Sequence, residues 1–172
     1  NGTQDIFYDD PNVVYQSFHL SPHYPGTGDM RELGEREGRG YTINLPLPRG
    51  CGNETILKAL DEIFIPIAEE FKPDIIIVSA GFDSHYQDPL GGLRLSAHTF
   101  YEIIRRLSAV QKKIVCSLEG GYNLDKLGRL VLSEIEAMMC KEHTYNEKVK
   151  EMYSGSGRIK DLKKLLREFW KV

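Results

Sequence analysis

Three short segments carry the side chains best suited to chemistry. In Gly81-Phe82-Asp83-Ser84-His85-Tyr86-Gln87-Asp88-Pro89-Leu90-Gly91-Gly92, two carboxylates and an imidazole stand close together. Carboxylate oxygen and imidazole nitrogen are hard-to-borderline ligands, suited to Zn2+ or a similar cation. The plainer reading has Asp83 bracing its own turn and Asp88 opening the next one before Pro89. In Glu119-Gly120-Gly121-Tyr122-Asn123, the paired glycines let the backbone come close to a ligand. A tyrosine hydroxyl there can donate a hydrogen bond to a developing oxyanion, although a Gly-Gly-Tyr turn alone is more often only a turn. The third segment, Pro25-Gly26-Thr27-Gly28-Asp29, is either an anion cradle or a structural loop. Neither Walker nor dinucleotide glycine spacing occurs, which weakens any phosphate-binding reading.

Such segments need a frame. Asp74 to Ser79 holds the run Ile75-Ile76-Ile77-Val78, a continuous apolar strand of the sort covered on both faces in a parallel sheet. Lys113 to Leu118 is a second such strand, and each leads directly into a glycine-rich segment. Shorter strands are predicted over 13–19 and 41–47, the latter closed by Pro46 and Pro48. Ile56, Leu60, Ile63, Ile67 and Phe71 recur at steps of three and four, predicting a helix over 53–72 that Pro66 kinks or divides. Helices follow over 96–112, with Ser96 as N-cap, and over 124–139. Strand alternating with helix implies α/β architecture with right-handed crossovers. Ligands in such sheets bind at the carboxyl ends of the strands, which is where the segments after Val78 and Leu118 lie.

Composition narrows the classes. A chain of 172 residues suits one compact domain. A hydrophobic fraction of 41% is too high for a wholly disordered chain, and the longest aliphatic run falls far short of the ~20 residues a membrane helix needs. A net charge of −3 argues against direct, non-specific nucleic-acid binding. Cys51, Cys116 and Cys140 are too few and scattered for a disulfide framework, so a reducing, cytoplasmic setting is expected. Asn1-Gly2-Thr3-Gln4 is polar, unlike a signal peptide, and lacks an initiating Met, so a trimmed chain or a piece of a longer one is expected. Residues 141–172 differ in charge, with nine Lys and Arg against five Asp and Glu; the first 140 residues hold 13 and 20. There Tyr153 to Gly157 reads as a hinge, and Leu162, Leu165, Leu166, Phe169 and Trp170 form an apolar stripe on a basic helix. That helix either docks on the domain or serves a partner or membrane surface.

The order and spacing of these segments resemble the C-terminal half of the zinc-dependent histone deacetylase family, which includes the acetoin-utilisation proteins and acetylpolyamine amidohydrolases. Asn1 to Pro11 looks like the stretch after the family's metal-binding Asp-x-His-His-Gly. Ser17-Phe18-His19, Tyr24-Pro25-Gly26-Thr27-Gly28, Ser79-Ala80-Gly81-Phe82-Asp83, Asp88-Pro89-Leu90-Gly91-Gly92 and Glu119-Gly120-Gly121-Tyr122-Asn123 follow in family order. The resemblance covers residues 1–140, leaving 141–172 as a charged helical extension. It implies a three-layer arginase/deacetylase-like parallel sheet flanked by helices, with the N-terminal part of the domain missing. Ile75 to Val78 is then expected to be partly uncovered.

By this resemblance, Asp88 is similar to the third zinc ligand, and zinc would act as Lewis acid on its bound water. Tyr122 is similar to the tyrosine that polarises the scissile carbonyl and stabilises the oxyanion. Potassium sites would draw on Ser17 and Phe18, and on Phe7, Asp10, Val13 and Tyr41. Tyr24 and Leu95, with Gly120 and Gly121, are similar to lining residues of the acyl-lysine channel. His85 has no assigned chemistry and reads as structural. One zinc ligand of three and no histidine dyad imply that the chain alone is inactive. Expected partners are an acyl-lysine protein or a small acylated amine and the missing part of the same domain, with a homo-oligomer left open. Pro89 to Leu95 carries no acidic side chain, which favours acyl-lysine over polyamine. A non-catalytic binding module is the main rival. An arginase-type manganese ureohydrolase and a nucleotide-binding domain rank below it.

Overall fold

The computed structural model describes residues 1–172. Its strands are β1 (Tyr15–Leu20), β2 (Thr42–Leu47), β3 (Ile76–Ala80) and β4 (Ile114–Leu118), each starting and ending within two residues of the sequence prediction. β1 and β2 are parallel, with Tyr15 opposite Thr42 and Leu20 opposite Leu47. β3 and β4 are parallel too, with Ile76 opposite Ile114 and Ala80 opposite Leu118. The strands pair two by two, and no hydrogen-bonded ladder joins the pairs into the single sheet expected.

Six α-helices accompany them: α1 (Gly2–Ile6), α2 (Asn53–Ala59), α3 (Ile65–Phe71), α4 (Ala97–Val110), α5 (Leu124–Met138) and α6 (Ser156–Leu166). The helix expected over 53–72 is divided. α2 passes through a π turn, Leu60–Phe64, into α3, where Pro66 sits at the start and needs no N–H partner. Ser96 does stand at the N-cap of α4, but its hydroxyl is buried without a partner. Capping comes from afar: Asn53 Oδ1 accepts the Ser96 N–H at 2.9 Å and the Thr99 hydroxyl at 2.6 Å, and Glu147 Oε2 accepts the Ala97 N–H at 2.9 Å. α1 was not foreseen, because Asn1 to Gln4 shows no apolar period.

One hydrophobic core joins the two halves. Ile43, Leu45 and Leu47 of β2 meet Ile56, Ile63 and Ile67 from the divided helix, and Ile159, Leu162 and Leu166 of α6. Ala80, Phe82, Phe100, Ile104 and Leu130 continue it beneath β3. Residues 141–172 therefore dock on the domain. Glu151 Oε2 accepts the N–H groups of Gly52 and Thr55, each at 3.1 Å. The Trp170 indole N–H donates to the Gly40 carbonyl at 2.7 Å. The stretch read as a hinge is anchored: the Gly155 N–H donates to Thr55 Oγ1 at 2.9 Å, and a Cβ at Gly155 would collide with Thr55 and Leu47.

Candidate active site

The carboxyl ends of the strands gather four loops. Ser21 N–H donates to Leu47 O at 2.8 Å beyond β1 and β2. Gly50 N–H and the Arg49 guanidinium reach Gly92 O and Gly91 O, at 2.8 and 3.0 Å. Past β3 and β4 the ladder runs on into the loops, with Glu119 N–H on Ala80 O (3.1 Å) and Phe82 N–H on Gly120 O (2.8 Å). The two segments singled out for chemistry are thus zipped side by side.

Asp88 is the junction. Its Oδ1 accepts the N–H groups of Leu90 and Gly91 at 2.9 and 3.0 Å, which folds the Asp88-Pro89-Leu90-Gly91 turn. Its Oδ2 accepts the backbone N–H of Tyr122 at 2.7 Å. Next to them, the Asn123 amide donates to Gln87 O at 2.8 Å. Asp88 and Tyr122, 34 positions apart in sequence, are held together while the Tyr122 side chain stays 52% exposed. Glycine is required where these loops touch. Gly121 has φ +136°, with Phe82 Cβ 3.0 Å from where its own Cβ would stand. Gly91 lies against the Asp83 carbonyl with no room for a side chain. Burial pushes the Asp83 carboxyl up, and the Asp88 charge adds to the shift.

The other predicted site residues fall into separate places. Tyr24 is 91% exposed on the loop after β1, beside a polar cavity of about 190 Å3 lined in part by Ser17, His19 and Asn44. Leu95 is fully buried in the core, its N–H on Ser84 O, so it lines no open channel here. Gly120 and Gly121 lie in the Tyr122 turn. Phe7 O, Asp10 O and Tyr41 O each accept one backbone hydrogen bond, from Asp10, Val13 and Tyr15 respectively. Ser17 and Phe18 sit on β1 opposite Asn44 and Leu45, with Ser17 Oγ 3.1 Å from His19 Nδ1. The Pro25 to Asp29 loop already holds an internal anion, since Glu32 accepts the N–H groups of Gly28 and Asp29, each at 3.0 Å. Two features escaped the sequence: the Glu32–Gln4–Asn44 chain of hydrogen bonds beneath that loop and Glu147 beneath His85. Neither follows a spacing rule, because each joins residues far apart in the chain.

Residues 1–138 match the family model described as the histone deacetylase domain. The chain belongs to the histone deacetylase family. Among curated relatives, it is 44% identical over 144 residues to histone deacetylase 10, chloroplastic, of Oryza sativa subsp. japonica, covering 81% of this chain and 32% of that protein. It is 45% identical over 130 residues to a probable deacetylase of Archaeoglobus fulgidus, covering 73% of this chain and 36% of that one. The chain thus spans about a third of the length of these relatives. The solved structure of the histone deacetylase Clr3 superposes with a TM-score of 0.92 at 33% identity, over 99% of this chain and 30% of that one. The HD domain of HDA15 gives 0.88 at 32% identity, over 99% and 48%. Those likenesses establish the α/β deacetylase fold, residues 139–172 included.

Zinc is the metal this histone deacetylase ancestry implies, and the donors of this chain do not fit it by themselves. No three His, Cys, Asp or Glu side chains converge as a metal cage would require. Asp88 offers a single carboxylate, with both oxygens already accepting backbone N–H groups.

Proposed function

We propose that this chain is the carboxyl-terminal portion of the catalytic domain of a zinc-dependent protein lysine deacetylase, and that alone it does not hydrolyse the acyl-lysine amide. The observation that carries this reading is the 2.7 Å hydrogen bond from the Tyr122 N–H to Asp88 Oδ2. It fixes the Tyr122 backbone beside a carboxylate where the strand ends meet, with the phenol reaching from there toward solvent. Tyr122 then acts through its hydroxyl, donating a hydrogen bond to the oxygen that becomes negative as the amide carbonyl turns tetrahedral. Asp88 holds the turn and contributes one of the metal's ligands, the others lying outside this chain.

Replacing Tyr122 with Phe in the complete protein should lower kcat by ~10²–10³ with KM little changed, the loss expected for one oxyanion donor. An unchanged kcat removes Tyr122 from the mechanism. The purified 172-residue chain, given zinc and an acetyl-lysine peptide, should show no turnover; robust hydrolysis overturns the incomplete-site reading. Because no three metal donors converge, a non-catalytic binding module is the second reading of the chain by itself. Potassium at the Phe7, Asp10, Val13 and Tyr41 carbonyls is part of the same proposal and rests on the likeness to the histone deacetylase family. No helix is long and apolar enough to cross a membrane, and cytoplasmic placement is a proposal resting on the three unpaired cysteines.

A further inference from the structure

His85 reads from sequence as a structural residue, and Glu147 lies beyond the family-matched region. In the fold they meet. His85 Nε2 is 3.1 Å from Glu147 Oε2, and the two side chains are 0% and 5% exposed. The same Oε2 accepts the Ala97 N–H at the first residue of α4, while Oε1 accepts the Tyr145 hydroxyl at 3.2 Å. Burial alone would raise the Glu147 carboxyl; the Ala97 N–H and His85 bring it below its ordinary value. A buried carboxylate with three donors is a satisfied and directional anchor.

From that anchor, contacts run to both halves of the site. The His85 carbonyl accepts the Asp88 N–H at 2.9 Å, and its own N–H is tied to Phe82 O at 3.1 Å. With the ring proton on Nε2, facing Glu147, the free Nδ1 faces the Gln87 N–H at 3.4 Å. Gln87 O in turn holds the Asn123 amide, one residue past Tyr122. Arg94, at the far end of the same loop, donates to Lys150 O at 3.0 Å. Apart from Glu147 and the Lys150 carbonyl, the hydrogen-bonded supports of this loop come from residues 1–140.

We propose that Glu147, acting through His85, is a positioning residue that keeps Asp88 and the Tyr122 turn in register, which makes the segment after the family-matched region a working part of the site. The proposal deepens the deacetylase reading and rests on its roles for Asp88 and Tyr122. Charge is secondary to reach, so the substituted side chains separate the two. Glutamine preserves the length and an acceptor for His85 and Ala97. Aspartate keeps the charge but withdraws it by one methylene.

The test has two readouts. In the 172-residue chain, amide hydrogen exchange in peptides spanning 84–92 and 120–124 should quicken in Glu147→Ala and Glu147→Asp, with α6 unchanged, and stay near wild type in Glu147→Gln. In the complete protein, the Ala and Asp variants should lose about 10–100-fold in kcat at constant KM, and the Gln variant should recover most of it. If exchange at those two segments does not change, or quickens equally throughout the chain, the proposal is overturned. Should the alanine variant fail to fold, the Asp and Gln pair decides by the same criteria. The deacetylase reading fails separately, through an unaffected Tyr122→Phe, because the exchange result does not depend on turnover.

Discussion

In the β1–β2 half every residue of Thr42–Leu47 is buried, whereas in the β3–β4 half only Ala80 is. Ile43, Leu45 and Leu47 are closed off completely, with α6 packed against their strand. Ile77 is 70% exposed and its register partner Val115 is 50% exposed, with Ile75 and Leu118 also open. Yet from sequence the second pair has the more apolar strand, and the first holds a proline, Pro46, with Pro48 just beyond it. The difference teaches that an apolar run records which surface needs cover and not what supplies it. For β2 the cover is the docked extension. For β3 and β4, α4 and α5 join the core on one face only, and α5 itself leaves Leu132, Ile135 and Met138 exposed.

A second contrast is chemical. Beneath β4, Glu134 is buried and burial raises its carboxyl from 4.5 to about 7. With Glu134 charged nearby, and through its own burial first, Cys116 rises to about 11. The β2 side holds no such unneutralised charge; its buried Asn44 amide donates to Gln4 at 2.7 Å.

Mutation can break the comparison. Leu45→Ala should destabilise by about 2.7–5 kcal/mol in urea unfolding, since the site is sealed and cannot collapse; a cost below that of an exposed residue would mean β2 is not the closed half. Glu134→Gln should stabilise by up to about 3 kcal/mol at pH 8 and leave stability at pH 4 unaltered. The sign follows from proton counting: between pH 4.5 and about 7 the folded chain retains a proton that the unfolded chain has lost, so wild-type stability falls as pH rises through that window and stays low above it. Urea midpoints at the two pH values check it, and parallel pH profiles for the two proteins would refute it. Trp170→Phe removes the donor to Gly40 O and should cost about 1 kcal/mol, again by urea midpoint. Ile77→Thr, on the open face, should change stability by less than about 0.5 kcal/mol and reduce aggregation in light scattering. A large loss there would mean that face is packed after all.

Much of this was legible in the sequence. The four strands were marked by β-branched runs and the helices other than α1 by their apolar spacing, and Pro66 marked a real division. Asp88 and Tyr122 stood in loops that follow adjacent strands, so their meeting followed from topology. What stayed hidden was set by contacts between distant residues. The split into two strand pairs, the burial of Leu95 and the capping of α4 by Asn53 and Glu147 leave no local pattern. His85 reads as structural from sequence, and the partner that gives it a place in the fold lies 62 positions away.

The ties that close the β2 side also impose an order on synthesis. Gly52 meets Glu151 across 99 positions, and Gly40 meets Trp170 across 130. At about 5–20 residues per second, a ribosome that has just made Gly52 needs roughly 5–20 s more to deliver Glu151. For that interval β2 is present without the helix that seals it, and Ile43, Leu45 and Leu47 are open to whatever chaperone or neighbouring chain stands at the exit tunnel. The nascent protein therefore exposes for seconds the very strand that is most thoroughly hidden once it is finished.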